Sequence, residues 1–213
     1  ELNLCQEWRA EAMLERPWHD FARLVQATRA PHSAFVQIDG QLHALCASPE
    51  RFLRRRGHEL ISSPIKGTAR RGRTFAEDAD IVRRLRNDPK ERAENVMITD
   101  LVRNDLSQVA RPASVEVEEL CGIHSFRNVH QMISTVTCTV REDRGFADIL
   151  RAAFPMGSMT GAPKIRAMEI TAEVEPVRRG LYSGAIGWAD PDGQGGVGDF
   201  DDAVADRVEK LAV

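Results

Sequence analysis

A lysine set between Pro64 and Gly67, in SSPIKGTARRG, has the makings of a nucleophile. A short, tight element of that kind can hold Lys66 partly out of water, and desolvation favours the neutral, nucleophilic amine. Arg70, Arg71 and Arg73 would further disfavour its protonation, or bind an anionic substrate. Taken alone, the residue reads more simply as a solvated lysine in a turn. Glu91 and Glu94 stand three apart, so on a helix both carboxylates share one face. Two hard oxygen ligands there suit Mg²⁺, which takes one or two protein carboxylates and keeps several waters. The plainer alternative is that Glu91 closes a capping box and Glu94 is a surface acid.

The run GSMTGAPK (157–164) places small residues and hydroxyls just before a helix start. Exposed N–H groups and the helix dipole attract a carboxylate or phosphate at such a place. It is not a P-loop, because Lys164 follows Ala162–Pro163 and is not itself followed by Ser or Thr. A turn capped by Thr160 or Gly161 explains it as well. Glu50 in SPERF, and His130 with Ser134, are lone polar residues beside apolar ones, more simply structural than catalytic. Together these groups fit an enzyme that acts on a small polyanion with Mg²⁺, without naming it.

The elements that must position them follow from pattern. Residues 7–29 read as a helix broken near Pro17, and 34–39 with 42–47 as a hairpin about Gly40. Strands are expected near 51–54 and 58–62, ending at Pro64. In 88–106, Asp88 can cap a helix with Pro89 in its first position, and Ala93, Met97 and Leu101 recur as a buried stripe. Residues 114–118, 132–140 and 182–188 read as strands, 146–153 as a short helix, and a further helix runs from Pro163 to before Pro176. Strands that come in hairpins and runs predict an antiparallel-rich α+β fold.

Bulk properties exclude much and specify little. The 213 residues suit one domain with a sizeable core, taken as 1–213. Twenty-nine basic residues against 32 acidic ones give no field for nucleic acid, and no apolar run is long enough for a membrane span. Cys5, Cys46, Cys121 and Cys138 form no C-x-x-C pair, and read as reduced thiols of a cytoplasmic protein.

Six segments in order then carry a resemblance: SPERF (48–52), PIKGTARRG (64–72), KERAENVMITDLVRNDL (90–106), VHQMIS (129–134), FPMGSMTGAPKIRAMEI (154–170) and EPVRRGLYSGAIGW (175–188). The chain resembles the chorismate-utilising enzymes, which include anthranilate, aminodeoxychorismate, isochorismate and salicylate synthases. The resemblance implies antiparallel sheets wrapped by helices around a Mg²⁺-dependent site for chorismate, a dicarboxylate. It implies that Glu91 and Glu94 bind the metal and that Glu50 is a proton donor near the ring. Thr68, Gln131, Ser158, Thr160, Gly161 and Tyr182 would line the substrate pocket. The relatives that form anthranilate usually have PIAGT where this chain has PIKGT. Lys66 therefore resembles the aminodeoxychorismate branch, in which the amine adds to ring C2 and ammonia displaces it at C4. Para-aminobenzoate and folate synthesis would be served, with ammonia drawn from a glutamine amidotransferase partner.

The sequence departs from the family pattern in two places. Many members carry His where this chain has Gln131, a neutral amide and a poor general acid. Only FDDAVADRV (200–208) resembles the I-R-T strand, which matches Arg207 to a carboxylate-binding arginine. The segment with two further acids that completes the family's metal site has no counterpart, nor has its N-terminal portion. The expectation is therefore a domain incomplete at both ends. Anthranilate synthase component I and a non-catalytic chorismate-binding remnant are the alternatives.

Overall fold

The computed structural model describes residues 1–8, 16–40 and 42–188; Arg207 and its segment lie outside the described residues. Helix α1 (Pro17–Thr28) begins at the proline, not at residue 7. Proline's fixed φ suits the first helical position and its missing N–H costs nothing there, whereas it would break a helix interior. Residues 7–8 are not helical, which corrects the expected start. Trp18 and Phe21 of α1 pack on Phe35 at 5.4 and 5.7 Å between ring centroids. Phe35 belongs to the expected hairpin of β1 (His32–Ile38) and β2 (Leu42–Ser48), closed at the pair Ile38 and Leu42.

The main sheet has five strands: β3 (Arg51–Arg56), β4 (Glu59–Ser63), β5 (Ile65–Arg70), β6 (Glu116–Ser125) and β7 (Val129–Thr139). Every pairing is antiparallel, as expected. Strand β7 is its spine. Along one side runs β6; along the other, β5 pairs with its first half and β4 with its second. Pro64 separates β4 from β5 because it has no N–H to give a ladder, yet its carbonyl accepts from Ser134 N–H at 3.1 Å. Residues 182–188, expected as a strand, are irregular. A strand needs a neighbour to satisfy its N–H and C=O groups, and none of the described strands pairs with them.

Helix α3 (Pro89–Ser107) lies across β5 and β7. Asp88 caps it, accepting from the N–H groups of Lys90 and Glu91 at 2.9 and 3.0 Å. Its buried residues are Asn95, Ile98, Thr99, Val102, Asp105 and Leu106, not the expected stripe. Ala93 is exposed, and Met97 and Leu101 are half-buried. Helix α2 (Phe75–Asn87) was not anticipated, although T-x-x-E at 74–77 is a helix-start signature and the Thr74 hydroxyl accepts from Glu77 N–H at 3.2 Å. Beyond β7 come α4 (Phe146–Ala153), the one-turn α5 (Gly157–Thr160) and α6 (Lys164–Val174). Leu53, Leu60, Ile98, Leu106, Val136, Val140 and Ile149 form the core between α3, α4 and the sheet. Each such side chain contributes roughly 1.5–3 kcal/mol by leaving water. No helix among the described residues is long and apolar enough to cross a membrane.

Candidate active site

Lys66 sits where the β5 ladder breaks. Ile65 pairs with Ile133 and Thr68 with Gln131, so two residues of β5, Lys66 and Gly67, stand opposite Met132 alone. A bulge of this kind re-aims side chains, and Gly67 supplies the positive φ of 94° that it needs. Its freed backbone is held by α3: the Asn95 amide donates to Lys66 O at 3.2 Å and to Met132 O at 3.0 Å. The Lys66 side chain is 14% exposed, far from the solvated turn that was its plainer reading. Its Nζ lies 2.5 Å from a Glu1 carboxylate oxygen and donates to Asn3 Oδ1 at 3.0 Å.

Glu50, just before β3, faces the same place. Burial pushes its carboxyl up to about 7, against the lowering effects of the Ser158 hydroxyl, the Lys66 charge and the Ile65 N–H. Glu50 and Ser158 line a small, partly open cavity of about 20 Å³, with Phe52, Pro64, Met156 and Asp105 among the residues around it. Asp105 is buried, so its carboxyl is raised by desolvation, which the charge and hydrogen bond of Lys164 oppose. The Lys164 ammonium donates to it at 2.6 Å. An amine, a carboxyl that stays protonated to near neutrality and a hydroxyl thus share one neighbourhood, the arrangement required for nucleophilic addition with proton transfer to a leaving group.

Glu91 and Glu94 share a face of α3, as expected, but the capping box is not closed: the Asp88 N–H donates to Leu85 O instead. Glu91 turns toward the bulge, where a methyl group on Gly67 would lie 3.3 Å from its Oε2. The Lys90 ammonium sits 3.0 Å from Glu94 and 3.6 Å from Glu91, and its pKa is raised chiefly by the hydrogen bond to Glu94. A cation therefore already bridges the two carboxylates. Hard, half-buried oxygens beside a cation are a donor set that fits Mg²⁺ completed by waters or substrate oxygens. No third acid, His or Cys joins them among the described residues.

The remaining expected site residues are less well gathered. Thr68 and Gln131 are cross-strand partners next to the bulge. Thr160 is buried and its hydroxyl donates to Met156 O within its own turn. The expected anion cradle at 161–164 is not assembled. Gly161 N–H donates to Gly157 O at 2.9 Å, Ala162 N–H to Glu1 O at 3.2 Å, and Pro163 has no N–H. The first is used by its own turn and the second because segment 1–3 runs along this loop, with Leu2 bridged to Gly161, where only glycine admits so close a backbone. Tyr182 is 59% exposed on the turn after Gly180. Glu1, Asn3 and Asn95 were missed, since no short motif marks them.

Comparison with known proteins bears on this geometry. A family model described as chorismate binding enzyme matches residues 1–198. Aminodeoxychorismate synthase component 1 of Klebsiella aerogenes is 47% identical over 188 residues, 88% of this chain and 41% of that protein. Anthranilate synthase component 1 of Streptomyces coelicolor is 45% identical over 175 residues, 82% of this chain and 34% of its own length. The crystal structure of anthranilate synthase component I from Streptococcus pneumoniae superposes with a TM-score of 0.76 at 27% identity, over 93% of this chain and 49% of that one. The chain thus spans about two-fifths of the length of the first of these relatives.

Proposed function

Because the chain belongs to the chorismate binding enzyme family, we propose that it is the catalytic part of an aminodeoxychorismate synthase component 1. Chorismate and ammonia would give 4-amino-4-deoxychorismate and water, on the route to para-aminobenzoate and folate. The observation that carries the reading is the meeting of the Lys66 amine with the raised carboxyl of Glu50. The Lys66 nitrogen bonds to ring C2, both conjugated ring double bonds shift by one position, and the C4–O bond breaks as Glu50 protonates the departing hydroxyl. Ammonia then bonds to C4, both double bonds shift back, the bond from C2 to Lys66 breaks to return the amine, and the added nitrogen gives up a proton that restores the acid form of Glu50. One difficult substitution becomes two easier ones.

Glu91 and Glu94 would hold Mg²⁺, which when bound supplies positive charge for the carboxylates of chorismate. Ser158 steadies Glu50, and Thr68 and Gln131 border the ring site from the β5–β7 ladder. The word "component" in the relatives' names supports a second subunit, which in this reading is a glutamine amidotransferase that delivers ammonia. Four unpaired thiols agree with a cytoplasmic setting.

Identities of 47% and 45% to proteins of two different activities do not separate them, and the lysine at position 66 is what favours the para-amino product. In the full-length enzyme, Lys66→Ala should slow aminodeoxychorismate formation by a factor on the order of 10³ or more, as loss of a covalent catalyst does. It should also abolish the mass of a Lys66–substrate adduct. Para-amino product at near the wild-type rate from that variant would refute the nucleophile, and anthranilate as the wild-type product would favour the alternative.

A further inference from the structure

We infer that Asn95 is the positioning residue for Lys66: its buried amide latches the β5 bulge to the helix that carries Glu91 and Glu94. The inference rests on the reading of Lys66 as the nucleophile and extends it to a residue without contact to substrate. Asn95 is 1% exposed, and its amide has no spare hydrogen-bonding capacity. Both N–H groups are used, toward Lys66 O and Met132 O. Its oxygen accepts from the Ser134 hydroxyl and, at 3.6 Å, from the Cys121 thiol. The orientation is not arbitrary. A flipped amide would point its oxygen at two carbonyl oxygens and its NH₂ at the hydroxyl and thiol that now donate to it.

The Lys66 carbonyl needs such a partner. It falls in the register shift, where the regular ladder is interrupted, and a carbonyl turned into the protein is costly to leave without a donor. Without the latch, the bulge would relieve that cost by moving toward water and would carry the Lys66 side chain with it. Gly67 has no side chain, and its hypothetical Cβ would already crowd Met132 and Glu91 at 3.2 and 3.3 Å. Glu91, Glu94 and Asn95 are spaced i, i+3 and i+4 on one helix face. One rigid element thus sets the distance from the amine to the acids. A misplacement of about 1 Å at a reacting centre can cost on the order of 100-fold in rate.

The test uses the full-length enzyme with chorismate, Mg²⁺ and saturating ammonium, and follows kcat, KM for chorismate, the rate of Lys66 adduct formation and thermal unfolding. Asn95→Ala should lower kcat and the adduct rate about 100-fold while KM for chorismate and the Mg²⁺ activation midpoint stay within roughly threefold. Thr99→Val serves as the control. The Thr99 hydroxyl donates to the Asn95 main-chain O at 2.7 Å, with a longer approach of 3.5 Å to the Asn95 side-chain oxygen, and has no bond to Lys66. Its loss should lower the melting temperature and leave kcat within roughly threefold of wild type. If Thr99→Val lowers kcat as much as Asn95→Ala, or if Asn95→Ala leaves the adduct rate unchanged, positioning by Asn95 is wrong. Lys66→Ala measured beside them separates the two claims. An unaffected Lys66→Ala removes the nucleophile itself, whereas an inactive Lys66→Ala with an active Asn95→Ala removes only the latch.

Discussion

Glu50 pits stability against chemistry within one carboxyl group. Its pKa in the folded chain is raised from 4.5 to about 7 by burial. Between those values the folded protein binds a proton that the unfolded chain has released, so stability falls as pH rises from 4.5 to 7 and then levels off. Glu50→Gln removes that titration. The variant should melt a few degrees higher than wild type at pH 8, on the order of what 1–2 kcal/mol gives a domain of this size, with little difference at pH 4.5. Its turnover should fall at least about 100-fold if Glu50 supplies the proton for the leaving hydroxyl, as proposed. Melting curves at the two pH values check the first expectation and steady-state rates the second. Equal gains at both pH values would mean that the carboxyl is not buried as an acid.

At the same scale, Lys66, Glu91 and Glu94 were legible in the sequence as residues that could do chemistry, and six motifs in order gave their setting. The sequence did not show what holds them. Asn95, Asn3 and Glu1 reach Lys66 from positions 29, 63 and 65 residues away. A polar side chain gives no periodic signal of its own, and its burial depends on partners that only the fold supplies.

Among the elements, α3 teaches that lesson most directly. Hydrophobic spacing pointed to Ala93, Met97 and Leu101, yet the helix buries Asn95, Thr99 and Asp105 along with its aliphatic residues. Each of those polar groups has a partner, which makes burial affordable: Lys66 O, Asn95 O and Lys164 respectively. Its start was readable, because Asp88 and Pro89 act locally. The strand expected at 182–188 failed for the converse reason, as pairing is not a local property. The β5 bulge makes a sharp prediction at this scale. Gly67→Ala places a Cβ at φ 94° and within 3.2–3.3 Å of Met132 and Glu91. It should destabilise the protein by about 1–3 kcal/mol, as a side chain forced into the left-handed region does, and reduce turnover more than the stability loss alone explains. Denaturant unfolding and kcat on the same preparation check it; unchanged turnover would mean that the bulge can shift without moving the amine.

For the whole molecule, the proposal makes ammonia a co-substrate brought by another subunit. The purified full-length component alone should use ammonium at alkaline pH, where free NH₃ is abundant, and should be inactive with glutamine. Assays with each nitrogen source, with and without the partner, decide this. Glutamine-dependent turnover by the component alone would remove the need for an amidotransferase. The α+β class and antiparallel pairing were legible at this scale because hairpins and Pro64 punctuate the chain. The order of strands was not, because β7 collects partners from both distant halves.

That shared spine also sets when the fold can form. Ser62 waits for Val136 and Ile65 for Ile133, so β4 and β5 have no companion on that side until the chain has been made well past residue 130. Each contact closes a long loop before any pairing energy returns, a topology that folds slowly. During synthesis β5, the strand of Lys66, therefore lacks its partner and is exposed to wrong pairing for as long as the ribosome takes to reach β7. The bulge that carries Lys66 can take its paired form only after β7 arrives, so this part of the candidate site is assembled late.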